Sequence, residues 1–393
     1  MRAMIDNIKK LYIFGFLYSL SFFGAIGIPF FLDWGNLNYF QIFLIQLWFS
    51  FWLFVLEVPT GVIADKIGRK MTLVLSGLTA SLGALLYGLF PNIYLFLLAE
   101  LIFAIGMALR SGADKAILYD TLIEMKKSKE AKHFFSRYAL SQNLGFIVAL
   151  PVGSLIAGSG ILPYPKTLPL TFLLTAIPLF LSIFVSFTLD EPRRKTLKEN
   201  LLIGSINSMK QLAKHSVLRS FALDMSLISA TTFFIFWFYQ PLLLNANLNI
   251  RYLGFVPAGY MILGSLLLFR INIVENIFGI KKLLFLTALI PAIAFAVLVI
   301  TRNVWIVLIC VYVIAIGKIR EPLFDHFMNI YIKSKDRAGV LSAINMLQRI
   351  FIGILYPIVG FLSDISIYYA VAMIGLLTLI FTFVGKVDET HLT

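Results

Sequence analysis

The chain has 393 residues, 60% of them hydrophobic and only 13% charged; an ordinary soluble domain is about one quarter charged, so a soluble globular protein is excluded and a polytopic membrane protein is indicated. The net charge of +13 would suggest a nucleic-acid partner in a soluble chain, but here the basic residues fall in alternate loops between apolar runs, the mark of membrane orientation. One cysteine, Cys310, excludes an internal disulfide framework, and His133, His215, His326 and His391 lack metal-ligand spacing, so neither a metal nor another cofactor is expected.

At ~20 apolar residues per crossing of a ~30 Å hydrocarbon core, about twelve spans are expected. They cover 11–32, 39–62, 71–90, 92–119, 136–157, 168–189, 217–243, 252–274, 282–301, 303–330, 338–362 and 366–385. The first run follows Lys9 and Lys10, is too long for a signal-peptide core and lacks a clear cleavage site, so it stays as a span. With the N-terminus in the cytoplasm, only Lys166, Arg251 and Arg302 of the 33 basic residues fall in outside loops, which sets both termini inside. The longest polar stretch, 190–216, is broken by Pro192 and rich in Lys and Arg. It reads as a cytoplasmic linker between a first half, 1–189, and a second, 217–393.

The halves read as repeats. An offset of 211 brings Gly68 onto Gly279, Lys70 onto Lys281, Ala104-Ile105-Gly106 onto Ala315-Ile316-Gly317 and Asp114 onto Asp325; an offset of 206 brings Ser136 onto Ser342, Gln142 onto Gln348 and Pro151 onto Pro357. Agreement in register, span by span, indicates two parallel repeats about an axis along the membrane normal.

The stretch that organises the chain is 61–70, Gly-Val-Ile-Ala-Asp-Lys-Ile-Gly-Arg-Lys, between two apolar runs. Glu57, Gly61 and Asp65 are four apart and share one helix face, and Gly61 lets a neighbouring backbone approach that face. Asp65 at the boundary suits the positive end of a helix starting on the same side, and the segment from Ala338 is the expected one. Lys66, Arg69 and Lys70 hold the loop in the cytoplasm. The stretch resembles the loop signature of the major facilitator superfamily, with glycine, aspartate, basic residue, glycine and two basic residues all in place. The second copy is degraded, with Asn276 at the position of Asp65 and Ile280 at that of Arg69.

The resemblance implies an all-α membrane fold of twelve helices in two pseudo-symmetric six-helix bundles, working by alternating access. It implies an interdomain gate built from Glu57, Gly61, Asp65, Gly68, Arg69 and Lys70, with Asp114 or Asp120 as the acidic partner of Arg69. It also implies that spans 1, 4, 7 and 10 line a central cavity. No Gly-x-x-x-x-Gly-Lys-Ser/Thr, His-Glu-x-x-His or Gly-x-Ser-x-Gly stretch occurs, so ATP hydrolysis and hydrolase chemistry are not expected and a gradient must drive the cycle.

The ionisable residues at membrane depth, Glu100, Asp224 and Arg349, are functional candidates because each is costly there without a partner or a cavity. Glu100 or Asp224 would carry protons, and Arg349 would stabilise a deprotonated carboxylate or bind an anionic group; a purely structural role for each stays open. Trp237 and Tyr239 line either a substrate site or the outer aromatic belt. Glu100 stands where many drug exporters of the superfamily carry arginine, and their fifth-span Gly-x-x-x-Gly-Pro-x-x-Gly-Gly stretch is represented only by Gly145, Pro151 and Gly153, out of register. The expectation is a monomeric, proton- or sodium-coupled secondary transporter in a prokaryotic cytoplasmic membrane, exporting small organic, amphipathic molecules. Uptake of a small, anionic metabolite, lipid flipping and a non-transporting receptor are the alternatives.

Overall fold

The computed structural model describes residues 2–192, 216–317, 320, 324 and 337–384. Most of the 190–216 linker and of the stretch after residue 317 in the tenth span, Asp325 included, lies outside them. Apart from single-turn segments, the helices are α1 Arg2–Tyr18, α2 Tyr39–Ile67, α3 Arg69–Leu89, α4 Ile93–Arg110, α5 Ala113–Glu124, α6 Ala131–Ala157 and α7 Leu168–Phe187. They continue with α8 Ser216–Phe233, α9 Ile235–Asn245, α10 Phe255–Phe269, α11 Ile271–Phe278, α12 Ile280–Ile300, α13 Val304–Ile316, α14 Arg337–Ile365 and α15 Ile367–Val384. Among the described residues, nine helical stretches are long and apolar enough to cross a membrane, and Val304–Ile316 and Ile367–Phe383 are shorter apolar helices.

The first span departs from the continuous helix expected over 11–32. Helix α1 ends at Tyr18, and helical structure resumes only at Gly27–Pro29 and Phe30–Trp34. The cause is tertiary. The Phe22 carbonyl occupies the space a Cβ at Gly153 would need, and the Phe22 N–H donates to Thr175 Oγ1 at 3.0 Å instead of to a helical carbonyl.

The described chain forms two compact units. Unit 1 comprises 1–38, 44–198 and 249–258. Its centre is α3, packed between α4 and α7. Small side chains on α3 permit this: a Cβ at Gly77 would lie 2.7 Å from Ser182 Oγ on α7, and one at Gly106 on α4 would lie 3.0 Å from the Ala80 nitrogen. Without a hydrophobic driving force between helices in lipid, such close backbone approach is what holds them together. Toward one end of this unit Phe30, Tyr87, Phe96 and Phe172 pack ring on ring, with Phe23 stacked on Phe172 at 4.1 Å between centroids.

Unit 2 comprises 39–43, 199–248 and 259–393. Within it α12 packs on α13 and α15, and α8 packs on α14 and α15. The first turn of α2 belongs here: Gly360 on α14 has no Cβ, and one there would come within 2.8 Å of the Phe40 Cα.

The sequence offset of 211 recurs in local geometry. Gly68 and Gly279 both have positive φ, +102° and +71°, and each immediately precedes a 21-residue helix. Asn92 and Asn303 each accept two backbone N–H bonds from the first turn of the next helix, α4 and α13.

Candidate functional site

The charged stretch at 61–70 becomes a tight helix-to-helix corner. Gly68 separates α2 from α3 in the left-handed region that side chains other than glycine rarely adopt. The corner places Arg69 and Lys70 in the first turn of α3, where backbone N–H groups lack helical partners. Glu191 supplies them: its two carboxylate oxygens accept from the Arg69 N–H at 2.9 Å and the Lys70 N–H at 2.7 Å. A carboxylate at a helix N-terminus satisfies two donors and meets the positive end of the dipole. The Arg69 guanidinium pairs with Asp120 on α5.

Asp114 belongs to a separate, buried cluster. It accepts from Arg110 Nε at 3.1 Å and from the Tyr138 hydroxyl at 2.8 Å. The Arg110 guanidinium lies 4.4 Å over the Tyr18 ring, whose hydroxyl accepts from Ser76 at 3.0 Å. Of the two candidate partners for Arg69, Asp120 is therefore the one in contact, while Asp114 ties α4 and α5 to α6. Glu57 and Asp65 are exposed on α2 and Gly61 is half-buried.

Glu100 lies on α4, 8% exposed. Its carboxyl oxygen accepts from Gln46 Nε2 on α2 at 3.2 Å, and the Tyr87 phenol lies in its immediate electrostatic surroundings. The next turns of α2 are pinned to α4 by Trp48 Nε1, which donates to the Leu97 carbonyl at 3.0 Å. Among the described residues, the groups placed close to Glu100 are thus neutral: the Gln46 amide and the Tyr87 phenol.

Asp224 on α8 has the opposite environment. It is 3% exposed and forms an ion pair with Arg320, also 3% exposed. Arg320 is further held by the Leu284 carbonyl and by Thr287 Oγ1 on α12, and its guanidinium lies 4.8 Å over the Phe324 ring. The cation on Asp224 is Arg320; Arg349, which the sequence reading gave to a deprotonated carboxylate or to an anionic group, is exposed on α14. Arg320 escaped notice because it stands beside Lys318 and Glu321 and reads as a solvated helix end. The other overlooked partners, Gln46 and Glu191, carry no signal in a single sequence beyond being polar.

Trp237 and Tyr239 are buried within unit 2, at 8% and 0% exposure, so they do not form an outer aromatic belt. Trp237 lies edge-on to Phe43, 6.0 Å between centroids, and its indole N–H has no hydrogen-bond partner among the described residues.

Residues 11–319 match the family model described as Major Facilitator Superfamily. The chain belongs to that superfamily. It is similar to "Multidrug resistance protein 2" of Bacillus subtilis (strain 168), with 25% identity over 337 residues, 80% of this chain and 78% of that protein. In fold it is similar to the nucleoside transporter NupG, with a TM-score of 0.78 at 15% identity, covering 98% of both chains. A bacterial homolog of the human lysosomal transporter Spinster, in an inward-facing and occupied conformation, gives a TM-score of 0.77 at 14% identity over 96% of this chain and 95% of that one. A variant of the Escherichia coli fucose:proton symporter FucP gives 0.59 at 20% identity over 98% and 100%. As a superfamily member the chain is an all-helical, multi-pass secondary transporter of small molecules and not an enzyme.

Proposed function

We propose that this superfamily member is a proton-coupled exporter of small, amphipathic organic compounds in which Glu100 carries the proton. The observation behind this is the contrast between the two buried carboxyl groups. The charge of Asp224 is answered permanently by Arg320. Glu100 is bonded to the neutral amide of Gln46, so its charge must be balanced by something that arrives. A buried charge without a partner costs several kcal/mol, and a proton or a cationic solute removes that cost. Competition between those two for one carboxylate is antiport. The likeness to a protein named for multidrug resistance supports the outward direction.

The cycle would rock the two sequence halves, 1–189 and 217–393, around the substrate. On the cytoplasmic side, the corner of Glu57, Gly61, Asp65, Gly68, Arg69 and Lys70, braced by Asp120, would serve as the gate. Two contacts at the opposite ends of the helices support an outer counterpart. Within unit 1, Arg251 donates to the Gly158 carbonyl at the end of α6 at 2.8 Å; within unit 2, the Asp364 carboxylate accepts from the Tyr39 and Phe40 N–H groups at the start of α2 at 2.7 and 3.2 Å. Each uses a charge suited to the helix end it meets. Phe40 and Arg251 are 211 apart and Gly158 and Asp364 are 206 apart, the offsets of the repeats.

The test is flux in proteoliposomes with an imposed pH gradient and ethidium as the probe. The expected result is gradient-driven ethidium movement against proton flow, retained at reduced level in Asp224→Asn and lost in Glu100→Gln. Movement that ignores the gradient would refute proton coupling, and gradient-driven flux persisting in Glu100→Gln would refute the carrier.

A further inference from the structure

Three side-chain hydrogen bonds run from α2 to α4 within unit 1. Trp48 Nε1 donates to the Leu97 carbonyl at 3.0 Å and Gln46 Nε2 donates to Glu100 Oε1 at 3.2 Å. The Thr60 hydroxyl, which donates to the Leu56 carbonyl of its own helix at 2.7 Å, lies 3.2 Å from the Ala108 carbonyl. Two of the three end on backbone carbonyls, whose strength as acceptors is fixed. The third ends on a carboxyl group and changes with its charge.

The Gln46–Glu100 bond is shielded from water, with Gln46 9% and Glu100 8% exposed. The groups that act on the carboxyl are Gln46 from α2 and the Tyr87 phenol from α3, neither of them charged. A hydrogen bond donated to a carboxylate is roughly twice as strong as one donated to a neutral acid. The proton on Glu100 therefore sets how firmly α2 is held to α4 at this level: firmly when the carboxyl is ionised, loosely when it is protonated. The difference corresponds to roughly a five- to ten-fold change in the equilibrium for opening the contact. An amide suits this task because its N–H bonds to the ionised form and its carbonyl can accept from the acid. A cation at position 46 would instead answer the charge permanently, as Arg320 does for Asp224.

Helix α2 also carries Glu57, Gly61 and Asp65 to the corner at Gly68. We propose that Gln46 is a positioning residue of the transport cycle, which passes the charge state of Glu100 to α2 and so to the corner at the end of that helix. This rests on Glu100 being the proton carrier.

The experiment places one reporter cysteine at a time in the full chain carrying Cys310→Ala, reconstituted in proteoliposomes, and follows labelling by N-ethylmaleimide from about pH 6 to about pH 9. Ser50→Cys reports on the contact: Ser50 is half-buried, lies four residues from Gln46 on the same face of α2, and donates to the Gln46 carbonyl at 2.9 Å. Ser265→Cys on α10 is the matched control, half-buried and bonded in the same way to the Met261 carbonyl at 2.8 Å. The ratio of the two labelling rates removes the pH dependence common to thiols. In the parent this ratio is expected to fall roughly five-fold or more as pH rises and Glu100 ionises. In Gln46→Met and in Glu100→Gln it should stay high at every pH. A ratio independent of pH in the parent, or a Gln46→Met variant that keeps the parent's pH dependence, would overturn the proposal. Should Gln46→Met fail to fold, Gln46→Asn, which withdraws the amide by one methylene, takes its place with the same expectation. Ethidium flux separates this proposal from the assignment of the proton. If Glu100→Gln retains gradient-driven flux while labelling behaves as expected, the assignment fails and the link from Glu100 to α2 stands. If Glu100→Gln loses flux while the parent's ratio ignores pH, the link fails and the assignment stands.

Discussion

Asp224→Asn and Glu100→Gln are nearly the same chemical change at two buried carboxyl groups, and the structure gives them opposite consequences. Asp224 and Arg320 are each 3% exposed and bonded to one another. Neutralising Asp224 leaves the guanidinium buried with its Leu284, Thr287 and Phe324 contacts but without its counter-charge. Removing one partner of a buried pair costs about 3–5 kcal/mol. For a unit of this size each kcal/mol is worth about 2–4 °C in melting temperature, so a fall on the order of 10 °C is expected. Glu100→Gln keeps an acceptor for Gln46 Nε2 and removes no counter-charge, so its melting temperature should stay within about 2 °C of the parent. Replacing both members of the pair, Asp224→Asn with Arg320→Met, should recover most of the loss, because two neutral groups have no stranded charge between them. Thermal melting of detergent-purified protein, followed by size-exclusion recovery after heating, measures all four. The reasoning fails if Asp224→Asn melts with the parent, or if the double replacement is no more stable than the single.

Gly68→Ala forces a side chain into φ +102° and should cost about 1–2 kcal/mol, read as a fall of several degrees by the same melting assay. The Arg69–Asp120 pair has side chains 23% and 20% exposed, so a double-mutant cycle to alanine should give a coupling of about 1 kcal/mol, weakened by salt. Arg251→Ala and Asp364→Ala each remove a charge from a helix end, worth about 0.3–1 kcal/mol; labelling of an outside-facing reporter cysteine should rise in both, and unchanged labelling would remove them from the outer gate. In the loop at 158–167, the Tyr164 phenol donates to Asp33, and burial first, then that carboxylate, push its pKa up. The native state therefore holds this proton above the ordinary tyrosine range, so its contribution to stability is full below about pH 10 and is lost only at higher pH. The phenolate absorbance of the parent at about pH 11 should match that of Tyr164→Phe.

Membrane class and family were legible because they rest on properties that survive without coordinates. Apolar runs of span length, the segregation of Lys and Arg, and a ten-residue stretch at 61–70 that matches at all six specified positions need no tertiary information. Register between the halves was legible at glycines and cap residues, where backbone geometry dictates residue type, as at Gly68 and Gly279. Pairing was not. Arg320 reads as one more charge near a helix end, and only the packing of α8 against its neighbours brings Asp224 to it. Gln46 looks like any polar residue in a long apolar helix until α2 lies beside Glu100. The break after Tyr18 was hidden for a related reason, since nothing local to 19–26 forbids helix; contacts with Gly153 and Thr175 on other helices impose it.

The central claim is that a solute and a proton compete for Glu100. It is tested most directly by adding ethidium to purified, weakly buffered protein and following proton release. The account predicts release by the parent, release reduced but present in Asp224→Asn, and none in folded Glu100→Gln. Equal release by the parent and Glu100→Gln, or loss of release confined to Asp224→Asn, would contradict it.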